Sequence, residues 1–142
     1  MIGLTTPHTM PLLDTPLLQR ITEQAQQSDR LRMNYNLHTS LDAKAQRLFN
    51  ALEPGTILPI HRHKATAETY ILVRGRLEVI LYDDDKNIVE QHTLDLNEGK
   101  FGYHIPPGQW HTVEALETGT VIFEVKDGPY APLAEDDVLL NG

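Results

Sequence analysis

From Pro54 onward, turn signals interrupt the chain every few residues, and the stretches between them are short and alternate apolar with polar side chains. The interruptions are Pro54-Gly55, Gly75, Asp83 to Asn87, Pro106-Pro107-Gly108 and Glu117-Thr118-Gly119. Alternation of period two places successive side chains on opposite faces of a strand. Many short strands separated by turns close into a sandwich or barrel. The spacing predicts strands over 56–63, 70–73, 77–82, 88–94, 101–105, 111–115 and 120–126. No internal repeat is visible.

The segment before Pro54 is different. Residues 1–13 read as an arm. Asp14-Thr15-Pro16 is a helix start: a capping carboxylate, then a proline where a missing N–H costs nothing. Leu17, Leu18, Ile21 and Ala25 follow at helical spacing, which predicts an amphipathic helix over 15–28. Arg32 to His38 alternates strictly, with Met33, Tyr35 and Leu37 on one side and Asn34, Asn36 and His38 on the other. The polar side faces either solvent or the barrel mouth. In 43–53 propensity favours helix, whereas the alternation of Leu48, Asn50 and Leu52 allows a strand. The expected division is an arm and helix over 1–29, a barrel over 30–132 and a solvated tail over 133–142.

With 142 residues, the chain supplies one core. Its net charge of -8 repels phosphate backbones, so no nucleic-acid partner is expected. The absence of cysteine excludes disulfides, thiolate catalysis and thiolate-ligated metals. No apolar run is long enough for a membrane helix, and the first residues lack the pattern of a secretory signal. A cytoplasmic protein without membrane attachment is the expectation.

Seven histidines remain, and their spacing carries the chemistry. His61 and His63 stand two apart, so on a strand both project from one face while Arg62 points away. Glu68 follows a short turn and can begin the neighbouring antiparallel strand beside the two imidazoles. Two imidazole nitrogens and a carboxylate oxygen on adjacent strands form a facial set of metal ligands. His111, after the Pro106-Pro107-Gly108 turn, is the candidate fourth ligand.

Gly55 to Gly75, with His61, His63 and Glu68 between, resembles the first signature motif of the cupin superfamily. Pro106-X-Gly108-X-X-His111 resembles the core of the second. Two positions depart: Lys100 stands where a glycine is expected, and Ala115 where many cupins carry asparagine. Neither is a ligand position in the family. More narrowly, Arg32-X-Asn34-X-Asn36-X-His38, Gln46-Arg47-Leu48-X-Asn50-Ala51-Leu52-X-Pro54-Gly55-Thr56 and Glu124-X-Lys126-X-Gly128-Pro129-Tyr130 are similar to the WbuC family of cupin-fold metalloproteins, over about 30–132. That resemblance implies an all-β fold: a small single-domain cupin β-barrel (a jelly roll), with the N-terminal helix added outside. It implies one divalent metal ion (Fe, Mn, Zn or Ni), a homodimer and an association with polysaccharide biosynthesis. It also makes 45–53 a strand.

Three imidazoles and one carboxylate leave up to two positions on a six-coordinate metal for a small-molecule ligand. Isomerisation or epimerisation through a polarised carbonyl is one expectation, oxygenase chemistry another, and a non-catalytic metal or small-ligand binding module the alternative. The substrate would be a small oxygen-rich metabolite of the sugar type. Proton transfer needs a base that is not a ligand. The catalytic candidates are His38 and Tyr70, which shares the parity of Glu68. Asn34, Asn36, Asn50 and Tyr103 are the pocket candidates. Tyr103 also belongs to the apolar alternation of Phe101 and Ile105, which turns His104 outward. Glu124 and Lys126 share one strand face and read as a weak surface pair.

Overall fold

The helix forms where its cap and apolar stripe place it. The Asp14 carboxylate accepts from the Leu17 amide at 3.1 Å, Pro16 lies in the first turn, and α1 spans Thr15–Gln27. The structure is a computed structural model that describes residues 3–5 and 12–139; the rest of the arm and the last three residues lie outside the described residues. The strands in chain order are β1 Gly3–Thr5, β2 Arg32–Asn36, β3 Ala45–Leu52, β4 Ile60–His61, β5 Glu68–Arg74 and β6 Arg76–Tyr82. They continue with β7 Ile88–Asp95, β8 Gly102–Ile105, β9 Trp110–Ala115, β10 Thr120–Asp127 and β11 Val138–Leu139. Among the described residues no helix is long and apolar enough to cross a membrane.

Two sheets face one another, with strand orders β1-β2-β3-β10-β5-β8 and β11-β4-β9-β6-β7. Among the described residues all pairings are antiparallel except β1 on β2. Between the sheets lies a core of Leu52, Tyr70, Leu72, Leu77, Val79, Leu81, Leu94, Ile105, Val113, Ala115 and Ile122. This is the all-β, helix-capped cupin barrel that the motifs imply.

A second core sits on the outer face of the larger sheet. Leu17, Ile21 and Ala25 of α1 pack on Tyr35, Phe49, Ala51 and Val121. The helix therefore covers one side of β2 and β3, and their other side faces the barrel interior. Residue pairs opposite one another in an antiparallel ladder share a face. Asn34 is paired with Asn50, and Asn36 with Leu48, which is paired in turn with Glu124. The polar side of β2 thus turns toward the interior rather than to solvent, because the helix has taken the apolar side. The same two-sided environment makes 45–52 a strand despite its helical propensity, since Leu48 and Leu52 fill one face and Phe49 and Ala51 the other.

Two expectations fail. The strand expected over 56–63 shrinks to Ile60–His61: Pro59 offers no N–H to a ladder and bars an earlier start, and the chain leaves the ladder after His61. His63 therefore lies in a loop, where its carbonyl accepts from the Gly108 amide at 2.8 Å. The acidic stretch Glu135 to Asp137 is not wholly solvated. Asp137 is buried, its carboxylate meets Arg62 at 3.2 Å, and β11 then pairs with β4.

Candidate metal centre

The two sheets bring their motif residues together across the barrel. β4 and β9 put His61 directly opposite His111, and β5 supplies Glu68 and Tyr70 from the facing sheet. One ligand atom each from His61, Glu68 and His111 lies within 4.8 Å of the other two. His63 Nε2 lies 3.8 Å from Glu68 Oε1 at the more exposed edge of the group. The His61 and His63 rings stand edge to face at 5.3 Å between centroids.

Backbone carbonyls orient the two inner imidazoles. His61 Nδ1 lies 3.0 Å from the Pro59 carbonyl, and His111 Nδ1 lies 2.8 Å from the Gln109 carbonyl. A carbonyl only accepts, so each Nδ1 carries its hydrogen and each Nε2 is left with the lone pair. Pinning one ring nitrogen in this way is how proteins aim the other at a metal.

The carboxylate shows what the cluster is built to hold. Glu68 Oε1 accepts the Tyr70 hydroxyl at 2.6 Å and lies 2.7 Å from His111 Nε2. Two lone pairs at that distance repel, so the contact is attractive only with a cation between them, either a proton or a metal ion. The donor set fits a divalent metal of the Fe, Mn, Zn or Ni type: neutral imidazole nitrogens and one carboxylate, with no thiolate.

The electrostatics agree with that fit. Burial, and then the neighbouring His111, push His61 from 6.5 down to about 4, which keeps its lone pair available. Burial also lowers His63. Burial works against a charge on Glu68 but is outweighed by the hydrogen bond and charge of His111, the charge of His63 and the Tyr70 hydroxyl, so the carboxyl sits below its usual value. Burial, with the charge of Glu68, holds Tyr70 well above the usual phenol range, as its O–H.

The remaining candidates fall in three places. Asn36 and Asn50 line the interior; Asn50 Nδ2 donates to Glu124 Oε1 at 3.0 Å, and neither amide oxygen has a partner among the described residues. Asn34 stands across from Asn50 at a half-buried position. Tyr103 is opposite Tyr70, but its hydroxyl donates to Glu90 at 3.0 Å and its ring stacks on His92. His38 is buried, and its Nδ1 lies 3.2 Å from the Arg47 carbonyl and 3.3 Å from the Arg47 amide along the strand edge. It is not among the groups gathered around Glu68.

Glu124 is not a surface residue. It is 9% exposed, in register with Tyr70, and raised in pKa by burial and then by the charge of Glu68. Its parity with Ile122 was the signal available in the sequence. Beside the cluster lies a cleft of about 220 Å³, lined by His63, Gln46, Lys126 and Tyr130, with Arg62, Lys64 and Asp137 at its rim.

Known structures share this architecture. The capsular polysaccharide assembling protein CapF from Staphylococcus aureus superposes with a TM-score of 0.59 at 19% identity, covering 74% of this chain and 28% of that one. KdgF from Halomonas sp. gives 0.54 at 17% identity, covering 70% and 82%. The cupin domain of Schizosaccharomyces pombe Cnp3 gives 0.54 at 9% identity, covering 68% and 64%. The chain spans less than a third of the CapF chain, at 28% of its length. No curated protein matches. A family model, described as Domain of unknown function (DUF6016), matches residues 13–94, more than half of the sequence. With the family model matched over more than half of its length, the chain belongs to the DUF6016 family, and its fold is that of the cupin domains it superposes on.

Proposed function

We propose that this chain is a mononuclear divalent-metal cupin, with His61, Glu68, His111 and His63 as the ligand set, that acts as an enzyme on a small oxygen-rich metabolite. The observation that carries the reading is the paired orientation of His61 and His111. In each a carbonyl two residues upstream holds Nδ1 and leaves Nε2 as the ligand nitrogen, and His111 Nε2 meets Glu68 directly. A bound metal supplies Lewis acidity toward a carbonyl or hydroxyl oxygen, or a redox partner for dioxygen. The chain's own groups do the rest. Tyr70 holds a proton on the oxygen facing Glu68, and the cleft at His63 lets a ligand reach the cluster. That open side favours an enzyme over a sealed structural site. The resemblance to WbuC proteins and the architecture shared with CapF support a sugar-type substrate, a role near polysaccharide assembly, a homodimer and a cytoplasmic setting.

The test is Mn(II) loading of the metal-free chain, followed by water-proton relaxation. One bound ion whose relaxation enhancement falls when a polyol is added supports a site with exchangeable positions. Failure to take up the ion overturns the proposal.

A further inference from the structure

Lys126 stands at the inner edge of the same cleft. In β10 it lies directly across from Glu68 on one side and from Gln46 on the other, so its side chain shares their face. The buried acids near it are already engaged, and Asp127, which also lines the cleft, is exposed and follows Lys126 on the opposite face of β10. Glu68 is held by Tyr70 and His111, and Glu124 by Asn50. Asp137 takes Arg62 at 3.2 Å and Lys64 at 3.3 Å, and Asp136 takes Lys64 at 2.7 Å. Of the three cations lining the cleft, Lys126 alone has no ion pair or hydrogen bond among the described residues. The acidic C-terminal segment thus pairs the two rim cations and leaves the Lys126 ammonium lining the cleft without a direct partner among the described residues.

An unpaired ammonium on a half-buried wall favours an anion that brings its own negative charge. We propose that Lys126 is an anion subsite beside the metal ligands, and that the ligand of this site is a polyhydroxylated monocarboxylate whose carboxylate meets Lys126 while its hydroxyl oxygens reach the metal. A carboxylate is flat and compact, so one ammonium can meet it while the hydroxyl oxygens of the same ligand remain for the metal. The cleft of about 220 Å³ suits a small metabolite rather than a larger ligand. The inference rests on the metal reading above and adds the charge of the ligand to it.

The probes are gluconate and sorbitol, which differ in a carboxylate against a hydroxymethyl group. Each is titrated into the full chain loaded with Mn(II), as wild type, Lys126→Met and Lys126→Arg, with metal content measured in every sample. The expected result is that wild type prefers gluconate by about tenfold, that Lys126→Met loses the preference and that Lys126→Arg keeps most of it. Equal binding of the two probes to wild type, or a gluconate preference that survives Lys126→Met, overturns the subsite while leaving the metal reading standing. A wild type that binds no Mn(II) fails the metal reading instead, and the two failures are thereby told apart.

Discussion

Replacing Glu68 by Gln removes one charge and leaves the shape of the side chain intact. Glu68 is 4% exposed, and its Oε1 receives both the Tyr70 hydroxyl and the contact from His111. Hydrogen bonds to a charged group contribute about 1.5–3 kcal/mol each, against about 0.5–1.5 for neutral ones. Part of the loss is offset because a buried carboxylate no longer has to be desolvated. The metal-free variant should therefore be less stable by about 2 kcal/mol, or roughly 7 °C in Tm for a chain of this size. The metal-dependent term is the sharper one. A divalent ion at a hundred times its Kd stabilises wild type by about 2.7 kcal/mol, which is roughly 9 °C. Disturbing groups behind a ligand already costs about 10–100-fold in affinity, so loss of the only anionic ligand costs at least about 100-fold. At the same metal concentration the variant's stabilisation should then shrink to about 0.4 kcal/mol, or roughly 1 °C. Thermal melts of wild type and Glu68→Gln, each with and without Zn(II), measure both terms. A variant whose metal-induced shift equals that of wild type refutes the reasoning, because Glu68 would then not be a ligand.

Acid should destabilise the metal-free protein well above the carboxylate range. His61 titrates at about 4 when folded and near 6.5 when unfolded, so between those values only the unfolded chain takes up the proton and stability falls as pH falls. The loss by pH 4 is about 3 kcal/mol, read by urea unfolding at pH 7 and pH 4; His61→Asn should flatten the dependence. Gly75→Ala should cost more than about 2 kcal/mol by chemical denaturation, because its φ is +87° and a Cβ would collide with Thr120; Gly99→Ala, at +71° with open space around it, should cost about 1. Ile21→Ala should lower stability by about 3 kcal/mol in a single transition, since Ile21 is fully buried between α1 and the sheet. A separate early transition would show that the helix is not part of the same cooperative unit.

The ligand-bearing motifs were legible in the sequence because their information is local. Pro-X-Gly fixes the turn before His111, and the parity of Glu68 and Tyr70 survives in β5. What the sequence hid depends on long-range cover. Whether Asn34 and Asn36 face solvent or the interior is decided by α1, which sits on Met33 and Tyr35. The alternation of β2 alone is symmetric between the two outcomes. Glu124 and Lys126 read as surface residues because a charged pair on a terminal strand usually is; their face of β10 is the one that carries Ile122 into the core between the sheets. The place of His63 outside β4 goes with the bond from the Gly108 amide to its carbonyl, a contact between distant loops that the local alternation does not show. The docking of Asp137 on Arg62 joins residues far apart in the chain, and composition alone marks that stretch as solvated.

The central claim is that this barrel holds one metal ion through the cluster around Glu68. Elemental analysis of tag-free protein and of the His61→Ala variant, purified side by side, tests it most directly. The account predicts one equivalent of a divalent transition metal in the wild type and a substoichiometric trace in the variant. Equal metal content in the two proteins, or none in either, would contradict it.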